Sequence, residues 1–483
     1  MPRHHRHQLL NRDGIAFVNL SHPDDIRRHD VQKGIRRHVM TNVGQSRRKK
    51  PRHIVIPLEI LTPQADSNDF QLEGHPVDGQ RPDAPETRSP HRLFQLNRLG
   101  ILGVELSDRT LQIVHFIAAE SEYINQPFHS IWVRIGFSDP TTLHLSMATT
   151  LLLWNRKNND PVLTAANDME AVRYYSKALK DLSTRLSDPF DCTSAGVVAT
   201  IIGCLCHDVH IGDWGRWSTH VDGLYQVSQL RGGIDGMDNH IPAIASWLDL
   251  IGSAALDTPP RFPVPSAFPT ANESAKGTLP ALRFLASYMK LAFPQLSPVS
   301  EALCMMSSIA QKVNSNSHSP HFWKDSVSAI NLLGPVTHHL LSVCRVCQVG
   351  GEASEVLILG EMIRLTCLML LSRLKGLFSL NTLDMVSLWA NFMTTLSLPV
   401  MDRVTTHLND LGLWALVTCA LIQPGDGMEE LLSHIEAAMR AKGIADMHGA
   451  IDLARALIWI DAIEGQGEVL LAGKMDSIEC ERM

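Results

Sequence analysis

The chain has 483 residues, 45% of them apolar and 19% charged, an ordinary globular composition with length for about three domains at roughly 150 residues each. Apolar runs such as 196–206 and 369–371 are short or cut by charge, so none reaches the ~18 residues of a spanning helix, and no apolar stretch follows Met1-Pro2-Arg3-His4 as a secretory leader requires. The net charge of -7 hides an asymmetry: residues 1–53 carry 13 Lys/Arg against 4 Asp/Glu, a net of +9, while the other 430 carry 30 against 46, a net of -16.

A basic arm on an acidic body points to an anionic partner, whether nucleic acid, an acidic protein surface such as an import receptor, or anionic lipid; the alternative is a solvated tail. Within the arm, residues 14–20 read as a short strand. Ser21 then offers an N-cap with Asp24 three positions on, and Val31, Ile35, Val39 and Val43 draw one apolar stripe along a helix over about 24–44. Arg27, Arg28, Lys33, Arg36 and Arg37 occupy much of the rest of its surface. Gly44 stops the helix, and Arg47, Arg48, Lys49, Lys50 and Arg52 follow as a nuclear-import-like run. If these side chains meet DNA, they act mainly by neutralising phosphate. Reading a sequence would require a helix held in the major groove by a dimer or folded support, and no leucine-zipper heptads follow to supply one.

Domain organisation follows from composition: a basic arm over 1–53, a Pro-rich, disordered linker over 54–107, a helical body over 108–472 and a tail over 473–483. In the body, apolar-periodic segments predict helices over 108–125, 128–135, 140–154, 168–186, 192–210, 214–231 and 240–256. Pro127, Pro140, Pro161, Pro189, Gly212 and Gly232-Gly233 separate them. After a second Pro-rich break at 257–281, helices are expected over 281–292, 298–313, 322–349, 353–377, 382–396, 401–421, 427–442 and 446–464. Strand-like alternation is nearly absent and no repeat of fixed period appears. The predicted class is all-α: a large irregular helical domain behind a basic helical arm and a linker.

The densest polar cluster is Cys206-His207-Asp208-Val209-His210, with Asp213, His220 and Asp222 nearby. Two imidazoles and a carboxylate suit a divalent ion that activates water, but no motif elsewhere supplies the remaining ligands, so capping and packing roles are the competing reading. Cys344-Arg-Val-Cys347 is a lone C-x-x-C without the second pair that zinc needs. No nucleophile elbow, P-loop or H-E-x-x-H occurs. No metal, no cofactor and no catalytic residue is therefore assigned.

Four pieces read together resemble a known family: Asp181-Leu-Ser-Thr-Arg-Leu-Ser-Asp-Pro189, Gly212-Asp213-Trp214-Gly-Arg-Trp217-Ser-Thr-His220-Val-Asp-Gly223-Leu224, Leu230-Arg231-Gly232-Gly233, and Asp257-Thr-Pro259-Pro-Arg-Phe262-Pro263. They are similar to the fungal-specific transcription factor domain, the helical regulatory region that usually follows a binuclear zinc cluster. The likeness covers roughly 108–465 and is strongest over 140–263. It implies a nuclear transcriptional regulator, not an enzyme, working through other regulators or a homodimer and often controlling one metabolic pathway, secondary metabolism included. The zinc cluster needs six cysteines, and the first here is Cys192. DNA contact through another element, a partner that carries the cluster, and a truncated gene model all stay open, as does a helical co-regulator that never touches DNA. Physically, Trp217, His220 and Leu224 share one helix face, so the expectation is that Trp217 packs in the core, His220 pairs with a neighbour, Gly223 permits close helix approach, Arg231 suits the helix dipole, and Gly232 and Gly233 reverse the chain.

Overall fold

The computed structural model describes residues 107–119, 136, 139–158, 161–233, 240–265, 279–345, 355–398, 409–422, 427–465, 467–468 and 471. All of them lie in the second of the chain's two units, Thr87–Met483. The predicted strand, arm helix and basic run, the linker up to 106, the helix over 128–135, Cys347 and the tail lie outside the described residues. Among those described there are sixteen α-helices and no strand, in the order α1 (Asp108–Ala119), α2 (Pro140–Asn158), α3 (Pro161–Leu186), α4 (Ala195–Ile211), α5 (Trp214–Arg231), α6 (His240–Leu256), α7 (Pro280–Ala292), α8 (Ser297–Asn316), α9 (Pro320–Lys324), α10 (Ser326–Ser342), α11 (Glu355–Leu377), α12 (Met385–Leu396), α13 (Asn409–Ile422), α14 (Met428–Lys442), α15 (Met447–Leu457) and α16 (Asp461–Glu464). The all-α class is as expected.

Proline sets several of the starts. Pro140, Pro161, Pro280 and Pro320 are each the first residue of a helix, where the missing N–H would have had no partner and the fixed φ is already helical. Pro161 therefore opens α3, which begins about two turns before the predicted 168. Two predicted helices are broken instead. The one expected over 322–349 is split at Asp325, whose backbone leaves the helical conformation and whose side chain caps α10 by accepting from Ser328 N at 2.9 Å, and α10 ends at Ser342. The one expected over 446–464 is interrupted by extended Ile458-Trp459-Ile460. Its backbone is met by side chains: Trp414 Nε1 donates to Ile458 O at 3.0 Å, Asn314 Nδ2 to Trp459 O at 2.9 Å, and Ile460 N donates to Glu464 Oε2 at 2.7 Å. These contacts replace the helical ladder, and the β-branched isoleucines favour the extended form.

A small core joins α1, α2 and α3 through Ile113, Ile117, Leu143, Met147, Leu151 and Ala171. The main core runs continuously from α2 to α15. α4, α11 and α13 are its axes: α4 packs on α2, α5 and α6, α11 on α8, α10, α12 and α13, and α13 on α14, α15 and α16. Helices apolar around most of their circumference have no other stable place than between other helices. Among the described residues, no helix is long and apolar enough to cross a membrane.

The Glu464 carboxyl is fully buried beneath α13, bonded to Thr418 Oγ1 at 3.0 Å and Ile460 N. Burial pushes it up to about 8, against the pull of Ile460 N and Thr418. The folded form thus binds a proton that the unfolded chain releases near pH 4.5, so stability falls as pH rises from there and levels off above about 8, by up to ~1.4 kcal/mol per pH unit. Glu464→Gln keeps one acceptor for Ile460 N and one donor for Thr418. Denaturation midpoints of this variant between pH 6 and pH 9 are expected to fall less steeply than those of the parent; equal slopes would sink the assignment.

Candidate functional site

The four pieces of the sequence motif meet around α4, α5 and α6, and each is a helix end or a helix contact. In the first piece, Arg185 at the end of α3 reaches Asp139 Oδ2 at 2.7 Å, Asp191 Oδ2 at 2.7 Å and Ser194 Oγ at 3.2 Å. Asp139 in turn accepts from Thr141 N and Thr142 N at the start of α2, and Ser194 caps α4 by accepting from Val197 N. One guanidinium therefore ties the ends of three helices. Gly196 makes room for it, since a Cβ there would lie 2.3 Å from Asp139 Oδ2 and 2.4 Å from Arg185 Nη2.

Down α4 the apolar surface is broken by Thr200, His207 and Asp208. Thr200 Oγ1 lies 3.1 Å from Thr142 Oγ1 across the α2 contact. His207 is buried, stacked on the Tyr175 ring with centroids 4.4 Å apart, and its Nδ1 is 3.3 Å from Thr149 Oγ1. Burial, reinforced by the cationic Arg216, lowers the imidazole to about 3, so it is neutral at physiological pH. Asp208, with no exposed surface, pairs with Arg216 Nη2 at 2.8 Å and accepts from His220 Nδ1 at 2.6 Å. Arg216 also lies over the Tyr175 ring at 4.3 Å. The buried carboxylate is thus held by two side chains from the first two turns of the next helix, an ion pair from Arg216 and a hydrogen bond from His220.

The turn between the two helices is built for that register. Gly212 closes α4 with φ 73, a left-handed conformation that glycine adopts without strain, and Asp213 caps α5 by accepting from Arg216 N at 3.0 Å. On α5, Trp217 is fully buried and donates from Nε1 to Leu248 O on α6 at 3.2 Å. His220 faces α4 through its bond to Asp208, and Leu224 is buried one turn further on, as the spacing predicts. Gly223 departs from expectation: a Cβ there would meet nothing within 4 Å, so it permits no close approach. That role belongs to Gly252 on α6, where a Cβ would sit 2.0 Å from the Trp217 indole. At the end of α5, Gly232 and Gly233 have φ 91 and 117, and Arg231 reaches back to Thr193 O at 2.5 Å.

The last piece is held at two points. Asp249 on α6 accepts from Arg261 N at 2.6 Å and Phe262 N at 2.8 Å, which pins the Pro-Phe-Pro turn with Phe262 buried. Burial pushes this carboxyl up to about 6 despite those two N–H groups. Arg261 lies over the Trp217 ring at 5.0 Å and donates to Asp222 Oδ1 at 3.0 Å. Just before the turn, Asp257 adopts φ 49 and aims its carboxylate at Arg364, which donates to both of its oxygens at 2.8 Å and to both Glu361 oxygens at 2.9 and 2.6 Å. Arg345 at 3.2 Å and Asn391 at 3.3 Å complete the cluster. Burial opposes the charge on Asp257, but Arg364 and Arg345 outweigh it and hold the carboxyl below its usual range. Arg185 and Asp257 fall within the first and last motif pieces, but sequence gives neither their partners nor the roles of Arg364, Glu361 and Asp249. The available signal is the pair of charges, Glu361 and Arg364, that cuts the apolar run of α11.

Chemically, these groups link helices. His207 and His210 do not converge on one point: His210 Nδ1 donates to the carbonyl of Cys206 in its own helix at 2.6 Å, while His207 faces Thr149. Among the described residues no three His, Cys, Asp or Glu side chains are grouped as a metal ion would require. Burial pushes the Cys206 thiol up to about 12 and Cys204 higher still, which removes both as ready nucleophiles. Arg27, Arg28, Lys33, Arg36, Arg37, Arg47, Arg48, Lys49 and Lys50 lie outside the described residues.

The sequence matches the family model described as the fungal specific transcription factor domain over residues 111–420. No curated protein and no solved structure matches the chain.

Proposed function

The chain belongs to the family of the fungal specific transcription factor domain, and from that membership we propose that it is a nuclear transcriptional regulator that works by binding, not by catalysis. The observation that carries the reading is the match across most of the helical body. The use of its buried charges as ties between helices is consistent with a scaffold for partners. On this reading the body engages other regulators or a second copy of the chain, and the arm serves nuclear import or DNA contact. Control of a dedicated metabolic pathway, secondary metabolism included, is what the family likeness adds.

The arm is the testable part. Replacing Arg47, Arg48, Lys49 and Lys50 with alanine in the full chain is expected to shift a fluorescent fusion from the nucleus to the whole cell, and unchanged nuclear accumulation would remove the import role. Binding of the purified chain to mixed genomic fragments at two salt concentrations separates the remaining uses. If all nine arm cations named above meet phosphate, log K falls against log salt with a slope of about -8. Selective enrichment that survives the higher salt and requires the arm means that the chain reads DNA itself. Binding erased by salt makes it a co-regulator dependent on a partner.

A further inference from the structure

Away from the motif helices, the ends of α11 and α13, the start of α12 and the short α16 enclose a half-open recess of about 470 Å³. That volume falls in the range of roughly 300–1,000 Å³ common to small-molecule sites. Its wall is mainly apolar, with Leu377, Met385, Leu421 and Ile463 around Gly376, and one charged side chain, Arg373, lines it. Arg373 donates from Nε to the Ile422 carbonyl at 2.7 Å and from Nη2 to the same oxygen. This fixes the guanidinium at the end of α13, and among the described residues no carboxylate meets it.

Described carboxylates of the surrounding elements are engaged elsewhere. Asp384 is held by Lys375 Nζ at 2.5 Å and Ser372 Oγ at 2.8 Å, Glu464 by Thr418 and Ile460 N, and Glu468 by Arg455 at 2.8 Å. Among the described residues the recess therefore carries one positive charge that no carboxylate meets, against a mainly apolar wall. Leu377 in this wall is 40% exposed.

The geometry points to a binding site for a small apolar carboxylic acid, its carboxylate on Arg373 and its hydrocarbon body against Leu377, Met385, Leu421 and Ile463. A single anchored guanidinium suits a monoanion, through a charge-assisted hydrogen bond, while the apolar wall gives the rest of the ligand its gain on leaving water. A dianionic phosphate would leave one charge unmatched. The site is separate from the motif helices and does not depend on what the chain regulates.

Calorimetric titration of the full chain with octanoate, neutral octanol and inorganic phosphate tests the assignment. One saturable octanoate site is expected, with octanol weaker by about tenfold or more and phosphate not bound. Arg373→Gln should lose about tenfold for octanoate and leave octanol unchanged; Arg373→Lys should retain part of the difference. Because Arg373 also caps α13, Gly376→Leu serves as an independent variant. This position lies in the last turn of α11 and lines the recess, and a Cβ there would meet only Thr382 Cγ2, at 3.4 Å, so the position accepts a side chain that fills the recess. It should abolish binding of both probes with an unchanged melting curve. Equal affinity for octanoate and octanol, octanoate binding unaffected by both Arg373→Gln and Gly376→Leu, or no saturable site for octanoate would each overturn the assignment.

Discussion

Arg364→Ala is expected to destabilise the helical body by about 3–5 kcal/mol, the usual result of removing one partner from a buried ion cluster. Arg364 has no exposed surface and is the hub between two largely buried carboxylates, Asp257 and Glu361. Without it, Asp257 keeps Arg345 and Asn391, and Glu361 is left facing Asp257 with its guanidinium gone. The cost is that of stranded charge more than of lost volume. Arg364→Met, which restores volume without charge, should therefore recover little, whereas Arg364→Met combined with Asp257→Asn and Glu361→Gln should recover most of it. The pH dependence distinguishes the two causes again. In the parent, Asp257 is ionised below its usual range, so its contribution is present above pH ~4 and lost as pH falls through its folded value. In the variant Asp257 loses the partner that outweighs its burial, so its carboxyl is expected to titrate above its unfolded value and stability to decline as pH rises from about 4 toward neutrality. The gap between parent and variant should therefore widen from pH 4 to pH 7 in urea unfolding. A gap that is constant across that range would mean that Arg364 acts through packing alone.

The second large effect is at the Trp217–Gly252 contact. Trp217→Ala should cost about 3–5 kcal/mol through the cavity it leaves in the core, together with the bond to Leu248 O and the stacking of Arg261. Gly252→Ala should cost about 1–3 kcal/mol or more for the opposite reason, since the new Cβ overlaps a ring that has no free space to retreat into. The two sites are one contact, so their effects should not add: Gly252→Ala made in a Trp217→Leu background should cost much less than in the parent. Gly223→Ala is the internal control. It lies on the same helix as Trp217 with nothing near its missing Cβ, and is expected to be neutral or stabilising by up to about 1 kcal/mol. Additive penalties at 217 and 252 in chemical denaturation, or a large loss at 223, would contradict the packing described.

Much of this body is written in local spacing. α5 and α6 occupy 214–231 and 240–256 as apolar periodicity predicts, because a helix that buries one face repeats that face every three or four residues. The i, i+3, i+7 placement of Trp217, His220 and Leu224 is likewise legible, and the core position of the tryptophan follows. Helix breaks were less so. Ile458-Trp459-Ile460 continues the periodic pattern of α15, yet is extended because Trp414, Asn314 and Glu464 satisfy its backbone from elsewhere in the fold. Gly223 and Gly252 look alike in sequence, both lone glycines inside helices, and only the neighbouring helix decides which of them is needed.

What the amino-acid sequence determined by itself was the all-α class, most helix positions, the contrast between a basic arm and an acidic body, and the family. Each depends on residues near one another along the chain, or on a sum over them. Tertiary structure alone decided which polar groups share a site. Asp208 finds His220 12 residues away, but Asp257 finds Arg364 107 residues on and Asn391 134 residues on. Helix periodicity says which side of a helix turns inward and nothing about the helix it will face. A buried charge is stable only when a partner stands opposite it, so those pairings are set by the packing of one helix on another.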